Sequence, residues 1–142
     1  MADDTGMLRE IYGGRFWGYL GIEFVEAGDG RCICRVALQD HHTNYNDVVH
    51  GGVISSLIDS TAGGAVRTLR SPEEIAARPH ATSDLHVQYL AGARGTELVA
   101  EAHVVKSGRT AIFVDVAVRD DADRMVARGS ATFVISQAQA RE

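Results

Sequence analysis

The sequence predicts an α+β fold in which an antiparallel six-stranded sheet wraps around one central helix. Three observations carry that expectation: a single long apolar helical segment, six strand-like runs on either side of it, and turn residues between those runs. The helical segment is Gly51 to Arg70, where Ile54, Leu57, Ile58, Ala62, Ala65, Val66 and Leu69 recur at helical spacing. Asp59 is its only charge between Gly51 and Val66. A helix apolar around most of its circumference must be wrapped by other structure.

The remaining elements follow in chain order. Residues 1–20 are expected to form an N-terminal cover, with Asp4 to Leu20 making a short helix or two turns around Gly13 and Gly14 over one end of the core. Ile22 to Glu26 and Arg31 to Gln39 read as a hairpin, because Ala27-Gly28-Asp29-Gly30 supplies residues that tolerate positive φ. A polar loop from Asp40 to Val49 leads into the long helix. Beyond it, Ser71-Pro72-Glu73-Glu74 supplies an N-cap, a proline at the first helical position and a capping-box glutamate for a second short helix, which Pro79 ends. Ala81 to Leu90, Thr96 to Lys106, Thr110 to Arg119 and Met125 to Ile135 then read as four successive meander strands. In the third of these, Ile112, Val114, Val116 and Val118 face one way while Phe113, Asp115 and Ala117 face the other. The whole chain, 1–142, reads as a single domain without internal repeats, and 138–142 as a disordered tail.

Composition excludes several classes of function. With 45% hydrophobic residues, 23% charged and 2 prolines, the chain has the makings of a core and not of a disordered segment. The net charge is -5 and the 13 arginines and single lysine, Lys106, are scattered, so nucleic acid is not an expected partner. No apolar run is long enough to span a membrane, and Asp3 and Asp4 stand where a secretory signal would need positive charge. A cytoplasmic location is the expectation. Cys32 and Cys34 lie two apart in a strand-like run, point to one face and are expected to stay reduced as packing residues. His41, His42, His50, His80, His86 and His103 show no metal-ligand spacing, so no metal is expected, and the adjacent pair His41-His42 reads as exposed loop. There is no Gly-x-Ser-x-Gly for a serine nucleophile and no phosphate-binding glycine loop after a strand.

The stretch Asn44 to Asp59 carries the chemistry. It sets an amide, an imidazole and two glycines at a helix start, where unpaired N–H groups and partial positive charge suit an oxygen that becomes negative during reaction. Gly51 and Gly52 let a ligand approach that backbone closely. Taken singly, each has a bland structural reading: a turn for the glycines, a loop histidine for His50, an Asx-turn for Asn44. Asp59 is harder to explain that way, because a carboxylate inside an apolar helix is costly unless hydrogen-bonded or paired. It lies eight residues beyond Gly51, or about 12 Å along the axis, too far for both to touch one reacting carbonyl. A shared site therefore requires the helix start of one subunit and Asp59 of another, as in a twofold homodimer.

The pattern Asn-x5-His-Gly-Gly-x6-Asp, formed by Asn44, His50, Gly51, Gly52 and Asp59, resembles the signature of the phenylacetic-acid-degradation-type thioesterases of the hotdog superfamily. The resemblance runs from about Leu20 to Ile135 and includes Val87-Gln88-Tyr89-Leu90, Ser107-Gly108-Arg109-Thr110 and Ala127 to Phe133. It implies the hotdog fold and the hydrolysis of acyl-CoA thioesters to free acid and CoA, with aryl- and medium-chain acyl groups among the candidates. Asp59 would act as general base or nucleophile, the Gly51 N–H would hold the oxyanion, and His50 and Asn44 would orient substrate or water. A hydroxyl on the strand after the helix contributes in some relatives, and Thr82 and Ser83 both fit. One departure stands out: Asp47 occupies a position where the family usually has glycine, so a different loop conformation is expected there.

Gly52 is expected to contact substrate, and Arg109 and Arg94, then Arg128, are the candidates for the CoA phosphates. No cofactor is expected beyond the CoA carried by the substrate. The resemblance further implies strand pairing between subunits near Ala81 to Tyr89, with a dimer of dimers common. The alternative from another class is a non-catalytic acyl-CoA-binding or regulatory hotdog protein, against which Asp59 argues.

Overall fold

The computed structural model describes residues 3–137. The expected tail, 138–142, and the first two residues of the N-terminal cover lie outside that range. Two short helices open the chain, α1 (Thr5–Tyr12) and α2 (Phe16–Leu20), and are followed by β1 (Ile22–Gly28) and β2 (Arg31–Ala37). The central helix α3 (Gly51–Arg67), the short α4 (Pro72–Ala77) and four strands, β3 (His80–Tyr89), β4 (Glu97–Ser107), β5 (Ala111–Asp120) and β6 (Met125–Ile135), complete it.

Local chemistry explains the turns and caps. The β1–β2 hairpin closes on a two-residue turn in which Asp29 and Gly30 have φ of 52° and 79°, the left-handed pair that matches strand twist. The Ser71 hydroxyl accepts from the Glu74 N–H at 3.1 Å and the Glu74 carboxylate accepts from the Ser71 N–H at 2.8 Å, the reciprocal cap expected for α4.

The sheet is antiparallel throughout and runs β1-β2-β4-β5-β6-β3. This corrects the four-strand meander. Strands β4 to β6 do meander, but β3 pairs with β6 at the far edge while β4 lies against β2. The long helix intervenes between β2 and β3, so the chain re-enters the sheet at its opposite edge and later fills the gap.

The inner face of the sheet closes over α3, whose Leu57, Ile58, Ala62, Ala65 and Val66 are fully buried. Opposing them are Cys32, Cys34 and Val36 of β2, alternate residues of β4 such as Leu98 and Ala100, and Ile112, Val114 and Val118 of β5. The two thiols lie 3.9 Å apart on one face, and the contact with Cys34 together with burial pushes the Cys32 thiol pKa up, leaving it protonated and inert. The helix ends at Arg67, three residues before Arg70, and it is not apolar all round. Gly52, Ser56, Asp59, Gly63 and Arg67, spaced by three and four residues, form a partly exposed polar stripe on the side away from the core.

Helix and sheet approach most closely at Gly64, where an added Cβ would stand 2.7 Å from the Cys32 sulfur and 3.0 Å from the Phe24 ring. Gly64→Ala is therefore expected to destabilise the fold by about 1–3 kcal/mol through overpacking, read by chemical denaturation. An unchanged midpoint would contradict the packing of α3 on β2.

Candidate active site

The loop before α3 is held from below by a buried histidine. His42, only 1% exposed, accepts the Gln39 N–H at Nδ1 (3.0 Å), which leaves its proton on Nε2 for the Leu20 carbonyl (2.8 Å). Its own carbonyl accepts from the His50 N–H at 2.8 Å. The expectation of an exposed pair thus holds for His41 alone. Burial of His42 follows from a long-range bond to Leu20, which adjacency in sequence does not reveal.

Above this anchor the loop folds back on itself. A Thr43–Val49 bridge closes it, the Asn44 N–H donates to the Val48 carbonyl (2.8 Å), and the Asn44 side-chain oxygen accepts from the Asn46 N–H (2.8 Å). Asn44 therefore makes the Asx-turn, using its carbonyl oxygen and keeping its amide NH2 without a partner among the described residues. Asp47 takes φ of 58°, the left-handed conformation that glycine favours. The aspartate thus holds a left-handed turn of the kind that glycine adopts without strain.

At the start of α3 the donors divide unequally. The Gly52 N–H caps onto His50 Nδ1 (2.8 Å), and the Val53 and Ile54 N–H groups both reach the His50 carbonyl (2.9 and 3.4 Å). Among the described residues only the Gly51 N–H of this turn has no acceptor. The amide that carries it is polarised by the two donors on the His50 carbonyl, which strengthens it as a donor. Gly52, in contrast, offers a substrate no free N–H. Tyr89, at the end of β3, lies over this turn and donates its hydroxyl to the Gly51 carbonyl at 3.0 Å, and the Ser55 hydroxyl donates to the same oxygen at 2.9 Å. Tyr89 belongs to the motif strand Val87 to Leu90, whose sequence gives it no visible role; its reach to α3 depends on where β3 sits in the sheet.

Asp59 is half-buried, on the polar stripe rather than among the core side chains. The Thr82 hydroxyl of β3 donates to its Oδ1 at 2.8 Å, and Oδ2 has no partner among the described residues. Ser83 faces elsewhere, donating to the Thr132 carbonyl at 3.2 Å across a register shift between Thr82 and Asp84. The two hydroxyls left open by the sequence are thus distinguished by geometry. His80, at the head of β3, is no proton carrier near neutrality: burial, then the Arg70 and Arg67 guanidinium groups, lower its pKa to about 4.

The three candidate arginines are dispersed. Arg94 follows Ala93, whose carbonyl accepts from the Val49 N–H at 2.9 Å, so it is tied to the loop that delivers His50. Arg109 borders a groove of about 360 Å³ with Arg70 and Arg78, near the other end of α3. Arg128 lies on the outer face of the sheet, donates to the Gln88 side chain at 2.6 Å and borders a groove of about 900 Å³ with His86 and Glu101. The single chain brings together Asp59 with Thr82, and Gly51 with His50; it does not bring the two groups to one point.

The sequence profile of the thioesterase superfamily matches residues 46–127, the span from the loop before α3 through β5 to the start of β6. A protein of Halobacterium salinarum provisionally named an esterase is 37% identical over 125 residues, covering 86% of this chain and 75% of its own. Human acyl-coenzyme A thioesterase 13 is 29% identical over 140 residues, covering 93% and 96%. The solved structure of the Escherichia coli PaaI protein, from the phenylacetic acid degradation operon, superposes with a TM-score of 0.80 over 96% of this chain and 94% of its own, at 16% identity that speaks for the fold alone. The chain belongs to the thioesterase superfamily and has its hotdog fold. It is a thioesterase, an enzyme of thioester hydrolysis.

The loop geometry is testable through Asp47. A β-branched residue is strained by about 1–2 kcal/mol in the left-handed region, so Asp47→Val should lower stability by that amount while Asp47→Gly leaves it nearly unchanged. Equal denaturation midpoints for the two variants would contradict the turn described.

Proposed function

We propose that the protein hydrolyses acyl-CoA thioesters to free acid and CoA at two equivalent sites, each built from the α3 start of one subunit and the Asp59 of another. The observation that carries this reading is the pairing of an N–H, at Gly51, and a carboxylate oxygen, on Asp59, that both lack a partner among the described residues and lie two turns apart on the same helix. An acyl-transfer site needs both a donor where negative charge develops and a base or nucleophile for the attack. A rigid helix holds the two about 12 Å apart in one chain, so they serve one carbonyl only across a subunit boundary. The exposed edge strand β3 supports this arrangement, since its free edge can pair with a second copy and it carries Thr82 beside Asp59. The name of the human relative supports the acyl-CoA substrate class.

In this reading the thioester carbonyl oxygen rests on the Gly51 N–H. The free oxygen of Asp59 takes a proton from the attacking water, or itself attacks the carbonyl carbon to give an anhydride that water then opens. Negative charge gathers on the carbonyl oxygen, where the polarised Gly51 N–H meets it, and collapse of the tetrahedral intermediate expels the CoA thiolate. Thr82 holds the carboxylate in place by its bond to Oδ1. His50 and the free Asn44 amide orient substrate, Gly52 lends close approach, and Ser83 lies off the reacting centre. Of the arginines, Arg94 is the best placed for a CoA phosphate beside the helix start, with Arg109 and Arg128 more remote from it along the chain.

Asp59→Asn keeps size and most hydrogen bonds while removing the basic oxygen. Over a panel of aryl, short, medium and long acyl-CoAs, kcat should fall by about 10²-fold or more. The thermal midpoint should move far less, because the amide can still accept from Thr82. Near-normal turnover by the folded variant would overturn the role of Asp59. Tight binding of acyl-CoA by the unmodified protein without turnover would favour the non-catalytic alternative.

A further inference from the structure

We infer that Tyr89 and Ser55 are positioning residues that act through the Gly51–Gly52 peptide on His50, making the His50 Nε2–H a second donor at the helix start. This rests on the reading of that helix start as the carbonyl-binding end of the site.

The relay begins at the Gly51 carbonyl, which accepts from the Tyr89 hydroxyl at 3.0 Å and the Ser55 hydroxyl at 2.9 Å. The two hydroxyls also touch one another, so two protons serve three contacts and at least one is always committed to the peptide or its neighbour. The Tyr89 ring packs where a Gly51 Cβ would stand, 3.3 Å from it, which fixes the hydroxyl over the turn. Donors on a carbonyl oxygen polarise the amide and strengthen its N–H at the other end. That N–H belongs to Gly52 and donates to His50 Nδ1 at 2.8 Å. A backbone N–H can only give a proton, so Nδ1 must hold a lone pair and the neutral imidazole carries its hydrogen on Nε2. His50 Nε2 has no partner among the described residues. The helix start therefore carries two unpaired donors, the Gly51 N–H and the His50 Nε2–H, both suited to an oxygen gaining negative charge.

A purely structural role, in which Tyr89 only ties β3 to α3, predicts a change of stability and nothing at His50. The two are separated by Tyr89→Phe, which keeps the ring on Gly51, with Ser55→Ala as a second variant should the first fail to fold. Each is compared with the unmodified protein in its assembled state at pH 8, by NMR of 15N-labelled protein and by steady-state acyl-CoA hydrolysis. The relay predicts that the Gly52 amide proton moves upfield and that the His50 nitrogens shift toward a mixture of tautomers. It also predicts that kcat falls about tenfold with KM changed less than about twofold, the signature of a misplaced catalytic donor. Unchanged Gly52 and His50 signals in a folded variant would overturn the relay, whatever the activity. Shifted signals in a protein that hydrolyses no acyl-CoA would instead leave the relay standing and refute the proposed function.

Discussion

The structure depends on the rigidity of one helix. Over its 17 residues, α3 fixes the distance between its first N–H and its single carboxylate, and no side-chain rotation can bring them together. Everything around it serves to bury one side while leaving the other available. The sheet covers Leu57, Ile58, Ala62, Ala65 and Val66, and Gly64 lets it approach to the sulfur of Cys32. The polar stripe from Gly52 to Arg67 stays outside, and Asp59 sits in the middle of it.

Two long-range contacts then convert this rod into a site. From one end, buried His42 holds the loop that presents His50, and the left-handed Asp47 turns that loop into the helix. From the sheet, β3 contributes Thr82 beside Asp59 and Tyr89 over Gly51, so one edge strand touches both candidate groups of the helix. A strand of 10 residues is long enough to span them, and its outer edge pairs with no strand among the described residues. The strand that touches both ends of the helix is thus also an edge strand of the sheet.

What was legible in the sequence was local. The Asp29-Gly30 turn, the Ser71 cap, the alternation of β5 and the buried face of α3 all follow from neighbours in the chain, and each appears where residue chemistry places it. The membership of Asn44, His50, Gly51, Gly52 and Asp59 in one motif was legible as a resemblance. What was not legible depended on pairing across the sheet. The place of β3 beside β6 is set by closure around α3, not by any feature of residues 80–89, and the choice of Thr82 over Ser83 follows from a register shift that the strand's own sequence does not announce. The burial of His42 and the reach of Tyr89 to Gly51 belong to the same class. The polar stripe on α3 was present in the sequence at three- and four-residue spacing, but glycine and serine do not declare an exposed face as charges do.

The central claim, that each site takes its oxyanion donor and its carboxylate from different subunits, can be tested by mixing two inactive chains. Gly51→Pro deletes the N–H in question at a position where proline suits the first helical turn and His50, at φ of -58° and ψ of 133°, already has the backbone that precedes proline comfortably; the added Cβ stands 3.3 Å from the Tyr89 ring, so Gly51→Ala, which adds the same Cβ and keeps the N–H, is the control. Asp59→Asn disables the other half. Co-refolded in equal amounts, the two chains should regain about one quarter of the unmodified activity, because half of the dimers are mixed and each mixed dimer rebuilds one of two sites. Recovery to that level is the predicted result. A mixture no more active than its separate parents, with mixed dimers shown to form, would contradict the shared site.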